Sequence, residues 1–209
     1  MMKVLLLNGS SHPHGCTDTA LREVAAGLEA AGIQTDILFL GNEPVRDCTA
    51  CGTCRTAPGR CVFDDDIVNE IIAKAEMSDG FVFGTPVYYA HPSGRILSVL
   101  DRAFYAGKTA FIHKPAAAIA SARRAGTSAT LDVLQKYFTI SQMPIVSSTY
   151  WTMVHGSKPE DVLQDTEGLQ TMRNLAANMA WLLKCIEAGK AAGIEKPKAE
   201  IGFRTNFIR

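Results

Sequence analysis

Four of the six cysteines in this 209-residue chain lie within the stretch DCTACGTCRTAPGRC, Asp47 to Cys61. Cys48, Cys51, Cys54 and Cys61 follow the spacing C-x₂-C-x₂-C-x₆-C. Thiolates at i, i+3 and i+6 wrap one compact centre from a loop, and a fourth closes it from the far side. Gly52 and Gly59 let the backbone bend around that centre. Thiolates are soft ligands suited to zinc and iron. The stretch therefore reads as a metal cage, an electron relay, or thiols holding no metal. A disulfide loop fits less well. The opening MMKVLLLNGSS lacks the apolar length of an export signal, so the expected compartment is the reducing cytoplasm.

Three further stretches carry groups that could hold a ligand. NGSSHPHGCTDT, Asn8 to Thr19, supplies hydroxyls, a flexible Gly15 and backbone N–H groups at a helix start, a combination suited to a phosphate. It has neither the Gly-Lys-Ser/Thr of a nucleotide-hydrolysing loop nor Gly-x-Gly-x-x-Gly, so neither ATPase nor Rossmann-type chemistry is expected. GTPVYYAHPSG, Gly84 to Gly94, sets two tyrosines between prolines, either facing a planar ligand or closing the rim of the core. ASARRAGTS, Ala120 to Ser128, places Arg123 and Arg124 where they meet either ligand oxygens or solvent.

The elements around these stretches explain why they should meet. KVLLLN is a continuous apolar run, as a parallel strand buried on both faces requires; QTDILFL reads as a second strand, DGFVFGTP as a third, buried one, and PAAAIASA as a fourth. MPIVSSTY is a weaker fifth. Leu21, Val24, Ala25 and Leu28 form one helical stripe, ended by Gly32. Asp64, Asp65 and Asp66 suit the N-terminus of a helix carrying Ile67, Ile71 and Ile72. Ser93 is a cap for the helix of Leu97, Leu100 and Phe104. Thr127 or Ser128 opens another helix, with Leu131, Leu134 and Phe138. A last helix uses Leu169, Met172, Ala176, Met179 and Leu183, and Cys185 within it reads as a core residue. Strands alternating with helices predict an open parallel α/β sheet, whose ligands bind beyond the carboxyl ends of the strands. All three polar stretches fall on that edge.

Hydrophobic residues make up 47% and charged residues 20% of the chain, with zero formal net charge. That balance supplies a sizeable core and argues against nucleic-acid partners, which need clustered Lys and Arg. No apolar run is long enough to span a bilayer. Residues 1–189 are expected to form one domain with the cysteine loop 48–61 inserted. Residues 190–209 are expected to form an arm packing on that domain or on a neighbouring subunit.

Taken together, LNGSSHPHGCTDT, GTPVYYAHPSGRILSVLDRAF, SARRAG and TNFIR resemble the flavodoxin-like NADPH-dependent FMN reductase family, in particular its iron–sulfur flavoprotein branch. The resemblance runs over nearly the whole chain. It implies a three-layer α/β/α fold with a five-stranded parallel sheet in the order 2-1-3-4-5. It also implies noncovalent FMN, NAD(P)H as electron donor, and a homodimer or homotetramer. On this resemblance Ser10, His12, Cys16, Thr17, Asp18 and Thr19 hold the FMN phosphate, and Pro86, Val87, Tyr88 and Tyr89 line the isoalloxazine. Ser121, Ala122, Arg123, Arg124 and Gly126 approach its pyrimidine edge. The chain departs from the family at His12, where Arg is common, and at Cys16, where Asn is. Cys16 is either a small apolar residue or a thiol reacting beside the flavin.

The cysteine spacing is similar to cluster-binding runs of ferredoxins and to the compact motif of that branch, more than to the paired knuckles of zinc ribbons. A [4Fe–4S] cluster, zinc, or no metal all stay open, because some family members with similar cysteines hold only FMN. The leading functional expectation is an FMN-dependent NAD(P)H oxidoreductase, flavin- or quinone-reductase-like, passing electrons to a small-molecule or protein acceptor. One alternative is an electron carrier with a cluster on the cysteine loop. The other is a non-enzymatic module with a structural zinc loop. No side chain is placed as a general acid or base, so no catalytic residue is named.

Overall fold

The computed structural model describes residues 1–203 and Thr205, so the end of the TNFIR stretch lies outside the described residues. Five strands form the sheet: β1 (Lys3–Asn8), β2 (Gln34–Phe39), β3 (Gly80–Tyr88), β5 (Ala116–Ala122) and β6 (Met153–His155). They pair in parallel in the order β2-β1-β3-β5-β6. Between β3 and β5 in sequence, β4 (His91–Pro92) folds back antiparallel on Val87 and Tyr88. With that two-residue ribbon set aside, the order is the expected 2-1-3-4-5.

Alternation along the strands divides the core into two layers. Leu5, Leu7, Phe81, Phe83, Ala118 and Ala120 face α3 (Val68–Glu76), α4 (Gly94–Ala106), α5 (Lys108–Phe111) and α6 (Thr127–Ile140). Val4, Leu6, Val82, Ala117 and Ile119 face α1 (Cys16–Ala30) and α8 (Thr166–Ala191), and two single-turn helices, α2 (Thr53–Thr56) in the cysteine loop and α7 (Pro159–Val162) after β6, complete the set. Phe81, Phe83, Phe104, Phe111 and Phe138 fill the first layer, with ring centroids as close as 4.3 Å. On the other face α1 and α8 approach so closely that a Cβ on Gly27 would stand 2.7 Å from the Cβ of Ala176.

Three sequence expectations change in detail. The fifth strand is not the run Met143–Tyr150: Ile145 makes one isolated bridge with Ala116, and regular pairing resumes only at Met153. Pairing to β5 lapses after Val146 donates to the Ala116 carbonyl and resumes where Thr152 accepts the Ala120 N–H, with the mostly exposed residues 147–151 between. The helix after the three aspartates starts later, at Val68, and only Asp66 serves its N-terminus, accepting the Val68 N–H at 3.1 Å. Helix α6 opens at Thr127 as expected, directly after Gly126 in the left-handed region. Cys185 is exposed: two residues beyond the buried Leu183, it falls on the opposite side of the helix.

Helix α8 runs to Ala191, and from Ile194 to Phe203 the chain leaves its side chains exposed. Among the described residues no helix is long and apolar enough to cross a membrane.

Candidate functional site

The carboxyl ends of β1, β3, β5 and β6 open onto a cleft of about 540 Å³. Its floor is built from the loop after β1. The buried Asn8 accepts the Ser10 N–H at 3.1 Å and donates to the Pro13 carbonyl at 3.3 Å, so one side chain folds the loop back on itself. The Ser10 hydroxyl accepts the His12 N–H at 3.0 Å. Helix α1 then begins at Cys16 with no side-chain cap, leaving its first N–H groups to the cleft. An uncapped helix start with a positive dipole end is a seat for an anion.

The other walls are tied to this loop by hydrogen bonds. Thr17 Oγ1 and Ser121 Oγ lie 2.8 Å apart, both buried, linking the first turn of α1 to the carboxyl end of β5. The Tyr88 and Ser11 hydroxyls meet at 2.5 Å, so the ring of Tyr88 closes one end. Ser93 caps α4 as expected, accepting the Ile96 N–H at 3.4 Å, and its hydroxyl donates to the Gly9 carbonyl at 2.7 Å.

Of the residues expected to hold FMN, ten line this cleft: Ser10, His12, Cys16, Thr17, Pro86, Val87, Tyr88, Ser121, Ala122 and Arg123. Five stand outside it. Asp18 turns to Arg22 and His14, at 2.7 and 3.4 Å, which keeps its carboxylate charge occupied. Thr19 donates its hydroxyl to the Gly15 carbonyl at 3.2 Å. Tyr89 is fully exposed with φ +61°, at the tip of the β3–β4 turn. Arg124 is exposed, and Gly126 packs beneath Val87.

Six lining residues go beyond that set: His14, Gly15, Gly156, Ser157, Lys158 and Pro159. The last four follow β6, whose displaced position hid them. The run MVHGSKP has the same form as the other sites, a short apolar strand followed by Gly, Ser and Pro. Cys16 sits against this loop with its thiol donating to the Gly156 carbonyl at 3.5 Å. Burial pushes that thiol up, and the nearby Asp161 and Glu160 carboxylates push it the same way, outweighing a backbone hydrogen bond. Cys16 is a protonated, partly packed group, not a reactive thiolate.

The second feature is a cavity of about 300 Å³ lined by Cys48, Cys51, Cys54 and Cys61 together with Phe63, Arg102 and Tyr105. Ala50, Gly52 and Gly59 all have positive φ, which curls the loop around the cavity. All four cysteines are free, and Cys61 is the buried one. Asn69 clamps it, accepting the Cys61 N–H at 2.8 Å and donating to its carbonyl at 3.1 Å. Hydrogen bonds from Thr53 lower the thiol of the exposed Cys51. Among the described residues no three His, Cys, Asp or Glu side chains converge on one ion-sized point. The two features are joined by α4, which runs nine residues from its cap Ser93 at the cleft to Arg102 at the cysteines, about 14 Å of helix.

The model of the NADPH-dependent FMN reductase family matches residues 2–158, which include the whole cleft apart from Pro159. The chain belongs to that family. It is 29% identical over 194 residues to an iron–sulfur flavoprotein of Methanocaldococcus jannaschii, covering 89% of this chain and all of that protein. A second iron–sulfur flavoprotein, from Methanosarcina thermophila, is 29% identical over 174 residues, covering 80% of this chain and 89% of the other. The fold is that of an archaeal flavodoxin, with a TM-score of 0.60 at 12% identity over 88% of this chain and 99% of that one. Family membership makes the chain a flavoprotein oxidoreductase with FMN as its cofactor.

Proposed function

We propose that this protein is an FMN-dependent NAD(P)H oxidoreductase that passes electrons from a reduced nicotinamide to an acceptor. The observation that carries the proposal is the cleft itself. Its lining offers an uncapped helix start, the Ser10 and Thr17 hydroxyls, the His12 imidazole and the cations Lys158 and Arg123. It also offers Pro86, Val87 and the ring of Tyr88. That pairing of anion donors with a flat apolar wall fits a flavin mononucleotide. The hydride and electron chemistry comes from the bound flavin. The chain's own part is to bind and orient. The α1 dipole and the hydroxyls seat the phosphate, the Thr17–Ser121 hydrogen bond sets the width of the cleft, and the Tyr88–Ser11 contact holds the aromatic wall. No general acid or base is required of a side chain.

A second reading adds an electron relay, because all four thiols line one cavity. The donor set fits a [4Fe–4S] centre, which takes four cysteine thiolates. It fits zinc less well, since structural zinc needs its ligands within about 2.3 Å of a single ion and the described side chains do not converge that tightly. A relay there would move single electrons between the flavin cleft and a partner along the α4 side of the molecule. We also assign the protein to the cytoplasm as a homodimer or homotetramer, with the arm from Lys190 onward against its own domain or a neighbouring subunit. Unchanged size in solution after deletion of that arm would refute its part in assembly.

The test is a visible spectrum with iron, sulfide and zinc analysis on protein purified without oxygen, followed by titration with FMN and riboflavin. Flavin bands, FMN bound more tightly than riboflavin, and NAD(P)H bleaching the flavin are the expected results. Iron and sulfide at about four each per chain support the relay. A protein that takes up no FMN refutes the proposal.

A further inference from the structure

Arg102 is a cation where α4 would ordinarily bury an apolar side chain. It is only 2% exposed, flanked on its helix by the buried Val99, Ala103 and Ala106. Its guanidinium is held from several sides: Nη1 pairs with the largely covered carboxylate of Asp66 and donates to the Arg46 carbonyl at 3.2 Å, and Nη2 donates to the Phe63 carbonyl at 3.2 Å. The Phe63 ring lies 5.6 Å from the guanidinium carbon. The Nε–H donates to Cys61 Sγ at 3.4 Å. A structural ion pair with Asp66 would use the other nitrogens alone. Here the pair and two carbonyls lock the fork so that one N–H meets the buried cysteine.

We propose that Arg102 is a positioning and tuning residue for a redox centre held by the four cysteines, fixing Cys61 and raising the reduction potential of that centre. The inference rests on the relay reading above. One-electron reduction of such a centre, with the bound flavin as reductant, would add one negative charge to the pocket and would make or break no bond. A hydrogen bond to a ligating sulfur and a buried positive charge both favour the reduced, more negative state. Screening is weak, because the guanidinium is out of solvent. Asp66 opposes this charge, so the two residues are expected to act with opposite signs.

The experiment is a potentiometric titration, followed by spectroscopy, of holoprotein purified anaerobically as wild type, Arg102→Gln, Arg102→Lys and Asp66→Asn. Arg102→Gln is expected to disfavour reduction at least tenfold, about 59 mV lower for a one-electron couple. Arg102→Lys keeps the charge and recovers part of that shift. Asp66→Asn leaves the cation unopposed and shifts the potential upward. Because either single change breaks a buried pair, the neutral double variant Arg102→Gln/Asp66→Asn provides a folded comparison whose potential falls between those of the single variants. General loosening of the pocket would move both single variants the same way, and that result overturns the proposal. So does an unchanged potential at wild-type iron content, which leaves the relay reading intact. Protein that holds no iron overturns the relay and this inference together.

Discussion

Replacing Gly126 by alanine tests whether the flavin-facing wall is built as described. Gly126 sits at φ +92°, and a Cβ there would stand 2.8 Å from Val87 Cγ1 and 3.5 Å from the Ala90 carbonyl. Two costs follow. A left-handed conformation costs an L residue about 1–2 kcal/mol. Forcing a methyl against a branched side chain adds overpacking of about 1–3 kcal/mol. Gly32 isolates the first cost, because it has φ +82° and open space around its Cβ position. Gly32→Ala should therefore lower the melting temperature by about 2–8 °C, since 1 kcal/mol shifts a chain of this size by about 2–4 °C, and leave FMN affinity alone. Gly126→Ala should lower it at least twice as far. Val87 yields toward the cleft, so FMN affinity falls about tenfold for each 1.4 kcal/mol passed on to the bound ring. Calorimetry and fluorescence titration of the apo-protein with FMN read both quantities. If Gly126→Ala melts with Gly32→Ala and binds FMN as the wild type does, Val87 is not held by this contact and the wall is wrongly drawn.

Three further outcomes follow from single contacts. Thr17→Val leaves Ser121 without its buried partner, so it should cost about 1–3 kcal/mol in chemical denaturation and weaken FMN binding. Unchanged stability would show that the 2.8 Å contact does not form. Alkylation of Cys16, followed by mass spectrometry, should set in only above the ordinary thiol value of about 8.5, because burial raises it; rapid labelling at neutral pH would contradict that. Burial pushes the Asp36 carboxyl up, but hydrogen bonds from Lys74 and Lys3, both at 3.0 Å, outweigh it and leave the group below the usual carboxylate value. A lowered carboxyl stabilises the fold above its unfolded value of about 3.9 and loses that contribution as pH falls through the lower folded value. Asp36→Asn should thus cost up to about 1 kcal/mol at pH 7, and the gap to wild type should close in acid denaturation series below about pH 4.

Legibility in the sequence followed the length scale of the interaction. The strands β1, β3 and β5 and the stripe Leu21, Val24, Ala25, Leu28 were readable because burial on both faces of a strand, or on one face of a helix, writes itself as local apolar pattern. The loops after β1, β3 and β5 were readable because turn and anion chemistry uses Gly, Ser, Thr and Pro within a few residues. The loop Gly156–Pro159 was not, since β6 is three residues long and its partners in β5 are more than 30 residues away. Asp18 and Thr19 carry the right chemistry for the cleft but lie on the turns of α1 that face Arg22, His14 and Gly15, a matter of helical phase against the sheet. Cys185 shows the same effect in α8.

By itself, then, the order of residues determined the alternation of strands and helices, the edge on which the polar loops gather, and the four thiols that curl around one cavity. Those follow from near-neighbour patterns, whose physics acts along the chain. Only the tertiary structure decided that Thr17 meets Ser121, that Val87 rests on Gly126, and that Arg102 of α4 donates to Cys61 while held by Asp66. Each of these joins groups 36 or more residues apart. Such contacts arise from how the layers pack, and no local pattern encodes them.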